Sequence, residues 1–195
     1  MAVAARVADE MPAHLVSSDP VGDAFRQGMR RLAGACNIIT SGDGSDDRSA
    51  WVGLTATAVS SLTAEPPRLL VCINRSVWAH GVITRSGVIG VNVLDGDQEA
   101  LALRFAGRGA CAPQEKFAVG DWSVQASGAP LLADALVGFD CRVAETVVAS
   151  SHDVFICDVV GVRLREAVSD PLIYFNGAFM AGSPVGARSM EGSVR

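Results

Sequence analysis

Behind Asp19-Pro20, the apolar residues Val21, Phe25, Met29 and Leu32 recur near every fourth position. That spacing predicts a helix with one apolar stripe, capped by Asp19, with Pro20 in its first turn and Gly34 ending it. ACNIIT, residues 35–40, then reads as a short strand, and SGDGSDDRS as an exposed polar loop. From Trp51 the texture becomes β. Residues 51–58 (WVGLTATA) alternate and are rich in Thr and Val, whereas residues 68–74 (RLLVCIN) form a continuous apolar run, the mark of a strand buried on both faces. The stretch between them, SSLTAEPP, is predicted to be a turn closed by Pro66 and Pro67. A short helix over 77–84 and a strand over 88–94 follow. A second capped helix is predicted over 97–105, stopped by Gly107, and then a loop over 108–120. Three late strands are predicted over 137–148, 154–164 and 172–175.

Six or seven strands and three short helices, without regular alternation, predict a mainly β domain and disfavour a parallel βαβ sheet. A closed or split barrel with helices at its ends fits that inventory. The 195 residues suit one domain, at 19–180, with an N-terminal arm at 1–18 and a tail at 181–195. Hydrophobic residues make up 49% and charged residues 19%, which gives ample material for a core. The net charge of −5 gives no bulk attraction for nucleic acid. No run approaches about 18 continuous apolar residues, and the first twenty lack the apolar core of a signal peptide, so a cytoplasmic protein with no membrane association is expected.

Candidate chemistry is diffuse. Cys36, Cys72, Cys111, Cys141 and Cys157 have no metal-type spacing and read as small buried hydrophobes in a reducing compartment; no His/Cys/Asp/Glu cluster suggests a metal. Nucleophile-elbow, dinucleotide and P-loop patterns are missing. Lys116 is the single lysine, so every other cation is an arginine able to fork onto a phosphate. GLTATAVSSLTAEPP, residues 53–67, supplies small residues for close approach and a set of hydroxyls. Backbone groups there could read a flavin's pyrimidine edge and hydroxyls its phosphate, though the same residues also make an ordinary Thr/Ser-rich strand and turn. At VCINRSVWAH, Arg75 can fork onto an anion beside Ser76 and a helix N-terminus; the plain alternative is a turn with Ser76 as helix cap. His14 belongs to the arm, His80 reads as structural or surface, and His152 stands at a turn leading into a strand.

In this order, FRQGMRRLAG, GLTATAVSSLTAEPPRLLVCINRS, GVNVLDGDQEALALRFAG, KF at Lys116-Phe117, GAPLLADALVGFDCRV, SHDVFICDVVGV and PLIYFNGAF resemble the short-chain flavin reductases. These are the reductase components of two-component flavin-dependent monooxygenases, and the resemblance runs from about Phe25 to Phe179. It implies an FMN-binding split barrel, a homodimer with the flavin near the subunit interface, and reduction of FMN or FAD by NADH or NADPH. Reduced flavin would then pass to an oxygenase component. It also implies a ring site against Leu54, Thr55, Ala56 and Thr57, and a phosphate end at Ser60, Ser61, Arg75 and Ser76. Cys72 and Asn74 would line the same strand end and Phe105 would wall the flavin tail, while His152 faces the nicotinamide. Family members often carry Gly-Asp before that histidine. Here Ser150-Ser151 stands there, which leaves the turn and the choice of NADH or NADPH open. Hydride transfer between stacked rings needs orientation and stabilised charge at flavin N1 and C2=O rather than a triad. Two other outcomes share these contacts: a reductase that keeps its flavin and serves another acceptor such as a corrinoid, and a flavin-binding carrier or sensor without turnover.

Overall fold

The computed structural model describes residues 19–107, 112–167 and 169–183. The expected arm at 1–18, most of the tail, His14 and Cys111 lie outside them. Helix α1 spans Pro20–Arg30, with the Asp19 carboxylate accepting from the Val21 N–H. Strands β1 (Gly34–Ala35) and β2 (Asn37–Ser41) follow. The single strand expected at 35–40 breaks at Cys36, whose N–H donates to Leu172 and whose carbonyl accepts from Leu94. A 3₁₀ turn at Arg48–Ala50 leads into β3 (Val52–Ala56), β4 (Val59–Ala64) and β5 (Pro67–Asn74). Helix α2 is Trp78–Ser86, β6 is Val88–Val93 and α3 is Glu99–Phe105. A second 3₁₀ segment occupies Pro113–Ala118. Then come β7 (Trp122–Val124), β8 (Pro130–Leu132), β9 (Val137–Ala149), β10 (His152–Leu164), β11 (Leu172–Phe175) and β12 (Ala178–Ala181).

Seven strands form one antiparallel sheet in the order β3-β2-β6-β9-β10-β5-β4. Its two outermost strands, β3 and β4, are consecutive in the chain and joined only by Thr57-Ala58. At that corner the Val59 N–H donates to the Thr57 carbonyl and the Cys72 N–H to the Ala58 carbonyl. The sheet therefore curls until its ends meet: a split barrel. Its interior holds Ile39, Val71, Ile73, Ile83, Val91 and Phe155. A second apolar cluster, built on Trp51, Phe105, Phe117 and Trp122, lies under α3 and the small β7-β8 hairpin.

Several expectations need correction. SSLTAEPP is mostly strand β4, with the turn confined to Glu65-Pro66; its side chains are exposed, so it carries no burial pattern. Strand β5 is not buried on both faces: Leu69, Val71 and Ile73 point inward, while Leu70 and Cys72 on the outer face are half-buried. The helix expected from Asp97 begins at Glu99, because Asp95 to Gln98 form a turn in which the Gln98 N–H donates to the Asp95 carbonyl, and Gln98 is the helix cap. Helix α1 carries the expected stripe at Val21, Phe25 and Met29 but ends at Arg30, so Leu32 lies beyond it and Gly34 opens β1 instead of stopping the helix. Val21 is 77% exposed and Phe25 65%, and no element among the described residues covers them.

Candidate functional site

Among the described residues, strand β3 has a sheet neighbour on one side only. The Gly53 carbonyl points away from β2 and accepts from Lys116 Nζ at 3.2 Å. In an antiparallel ladder the N–H of the same residue turns the same way, and so do the backbone groups of Thr55 two residues on. This open edge borders a cavity of about 850 Å³. Leu54 and Thr55 line it from β3, Val77, Trp78 and Arg85 from α2, and Phe105, Gly107 and Lys116 from the opposite wall. Thr55 is half-buried, and its hydroxyl donates to the Ala102 carbonyl of α3 at 2.6 Å.

Position 53 has to be glycine. A Cβ there would lie 2.5 Å from the Phe105 ring. Phe105 itself is 1% exposed, edge-on to Phe117 at 5.1 Å and tilted on Trp122 at 5.4 Å. It is thus a core aromatic whose rim reaches the cavity. Lys116 Nζ also donates to the Phe105 carbonyl, at 3.1 Å, so its charge is held across the mouth between β3 and α3. Backbone donors and acceptors along one edge, an aromatic rim and several cations suit a flat heterocycle that carries a phosphate.

A second group gathers at the far end of β5. Asn74 pairs in register with His152, which brings the two segments into contact. The Arg75 N–H donates to the Ser151 carbonyl at 2.9 Å. Asn74 Oδ1 accepts from both the N–H and the hydroxyl of Ser76, each at 2.8 Å, so Ser76 closes an Asx turn while Val77 occupies the helix cap. Because strand residues alternate, His152 faces outward and Asp153 inward. Asp153 Oδ2 is 2.7 Å from His80 Nε2, and its buried Oδ1 has no hydrogen-bond donor but lies 3.7 Å from Arg75 Nε. His80 is therefore structural. Ser151 Oγ and His152 Nδ1 are 2.9 Å apart, which fixes one side of an otherwise exposed ring.

The predicted residues thus divide. Leu54, Thr55 and Phe105 line the cavity. Ala56, half-buried, and Thr57, exposed, mark the barrel corner. Ser60 lies opposite Leu70 and shares the outer face with Cys72, Asn74 and His152, whereas Ser61, opposite Leu69, turns to the other face. Arg75 and Ser76 are exposed and lead straight into the cavity-lining start of α2. The sequence reading missed Trp78, Arg85 and Lys116 as lining residues. A tryptophan two residues past Arg75-Ser76, on the short helix the sequence predicts, was the available signal for the first. Burial pushes the Cys36 and Cys157 thiols up to about 12 and Cys141 higher still, so all three stay protonated and inert at neutral pH. Among the described residues, no His/Cys/Asp/Glu group is placed to hold a metal, and no helix is long and apolar enough to cross a membrane.

Residues 29–183 match the family described as Flavin reductase like domain. The chain is 45% identical over 159 residues to the FMN reductase (NADH) RutF of Stutzerimonas stutzeri strain A1501, covering 82% of this chain and 87% of that one. It is 45% identical over 155 residues to the protein of the same name from Bradyrhizobium diazoefficiens, at 80% and 82% coverage. Among solved structures, BorF, the flavin reductase component of a bacterial two-component tryptophan halogenase, superposes with a TM-score of 0.73 at 27% identity, covering 84% of this chain and 99% of that one. The NADH:FAD oxidoreductase SgcE6 of Streptomyces globisporus C-1027, solved with NAD and FAD fragments, gives 0.74 at 25% identity, with 86% and 97% covered.

Proposed function

Because the chain belongs to the flavin reductase-like family, we propose that it is an NAD(P)H:flavin oxidoreductase that hands reduced flavin to a separate oxygenase. The observation that carries this reading is the open edge of β3 over a cavity rimmed by Phe105 and Lys116. When bound, the two nucleotides supply the chemistry, a hydride passing from nicotinamide to flavin. The chain's part is to hold and orient them. Backbone groups of Gly53 and Thr55 meet the polar edge of the ring, with Leu54 and Ala56 beside it. Lys116, held between β3 and α3, would offset the negative charge that reduction leaves on the ring, and orientation of bound partners can supply roughly 7–11 kcal/mol of such a barrier. Arg75, Ser76 and Ser60 take the flavin phosphate, and Cys72 and Asn74 line the approach. His152, steadied by Ser151, meets the nicotinamide nucleotide. The relatives named for FMN and NADH make that pair the first to test, with FAD and NADPH as comparators.

The functional unit is a homodimer in the cytoplasm. The uncovered stripe of α1, together with exposed Val160, Val162 and Leu164 on β10, is the surface a second copy would bury. The test is anaerobic mixing of purified protein with nicotinamide nucleotide and excess flavin. Rapid oxidation with many turnovers of free flavin is expected. Binding without oxidation would leave a carrier or sensor, and a single turnover with flavin retained would leave a reductase of another acceptor.

A further inference from the structure

The part of the cavity walled by α2 has no role in reading the flavin ring or in the Arg75 corner. Trp78, Val82 and Arg85 all line it, spaced as one helix face. Trp78 is 76% exposed, although it is the largest apolar side chain on the helix. Arg85 folds back along the helix: its Nη1 lies 3.4 Å from where a Cβ on Gly81 would stand. The guanidinium thus reaches about one turn back toward the indole, across a position with no side chain. Among the described residues, Arg85 has neither an ion pair nor a hydrogen bond. Ser86 and Arg142 line the same end. Ser86 shares a hydrogen bond with Ser41, and Arg142 is held to the Ala126 carbonyl at 3.0 Å. Asp43 is also in the lining, but its carboxylate is committed to the Ser45 N–H and hydroxyl.

An exposed indole on the same helix face as an unpaired guanidinium, in a cavity that a second guanidinium and a hydroxyl also line, is a receptor for an aromatic base that carries a phosphate. The plain alternative is that Arg85 merely offsets the negative end of α2. That alternative accounts for neither the open Trp78 nor the second arginine in the same cavity. We propose that this face of α2 binds the adenosine phosphate half of a dinucleotide, with the base stacked on Trp78 and the phosphate on Arg85. The proposal rests on the reductase reading above, in which a flavin or nicotinamide dinucleotide enters this cavity. FAD and NAD(P)H share that half, so either can be its source.

Calorimetric titration of the full chain with 5′-AMP tests the subsite directly, beside kinetics with FMN, FAD and NADH. Both side chains are exposed, so Arg85→Gln and Trp78→Ala leave the fold intact. Each should weaken AMP about tenfold or more, and Trp78→Phe should recover part of the loss. If FAD is the source, the FAD KM rises in the variants while FMN and NADH hold. If the donor is the source, the NADH KM rises and FMN holds. No AMP binding, equal AMP affinity in all the proteins, or equal losses for FMN and FAD would overturn the proposal. AMP binding without any nicotinamide oxidation would instead overturn the reductase reading and leave the subsite standing.

Discussion

Arg75 is the residue at which structure and proposed chemistry meet most closely. Its backbone is tied to Ser151 and its side chain lies beside the buried Asp153, so the guanidinium is pre-placed at the mouth of α2. Arg75→Ala is expected to weaken FMN about tenfold and riboflavin, which lacks the phosphate, hardly at all, because a charge-assisted hydrogen bond to phosphate is lost. Fluorescence titration with both ligands checks this; equal losses would remove the phosphate role. His152→Ala should raise the nicotinamide KM several-fold, in line with one lost hydrogen bond, and leave flavin affinity unchanged. Steady-state kinetics with varied NADH and saturating flavin decides it. Asn74-Arg75-Ser76 was legible as a turn because the motif is local, and the paired titration decides whether it binds an anion. Its juxtaposition with His152 was not legible, since that depends on the register of β5 against β10, two strands far apart in the chain.

At the scale of elements, the fit of α3 against β3 hangs on one missing side chain. Gly53→Ala should destabilise the protein by about 1–3 kcal/mol in urea unfolding, because Phe105 would have to leave its place among Phe117 and Trp122. A second joint ties the end of β6 to the chain entering β11. There the buried Asp95 accepts from Ser169, Arg165 and the Asp97 N–H. The Ser169 hydroxyl above all, then the Asp97 N–H and the Arg165 charge, hold its carboxyl below the ordinary value of 3.8 against the opposing effect of burial. A carboxyl lowered on folding stabilises the protein above its unfolded pKa, and that contribution fades as pH falls through the folded value. Asp95→Asn should therefore cost about 1–2 kcal/mol at pH 7, and the gap to wild type should shrink by pH 3. Paired urea titrations at the two pH values measure it. Elements with a buried face, such as β6, β9 and α3, were readable from their apolar spacing. Strand β4 was not, because exposed Ser and Thr beside two prolines look like a turn, and its pairing with β5 is made by backbone alone. The β7-β8 hairpin escaped for a similar reason: each strand is three residues long, too short to show a period.

The barrel taken whole carries more apolar surface than one copy covers. The α1 stripe was legible as amphipathic, but the sequence could not say that no other described element packs on it. Phe25→Glu with Met29→Glu is expected to shift the sedimentation coefficient from dimer to monomer, and an unchanged dimer would place the interface elsewhere. The open edge of β3 has a consequence of another kind. Backbone groups left free to read a heterocycle are equally free to template a strand from a neighbouring molecule, and natural sheets blunt such edges. Among the described residues, Lys116 and the flanking α3 stand guard here. A bound flavin would complete that protection and, by mass action, favour the native barrel over clumping chains. The cell's flavin supply would then govern how much of the protein survives in solution as well as how fast it turns over.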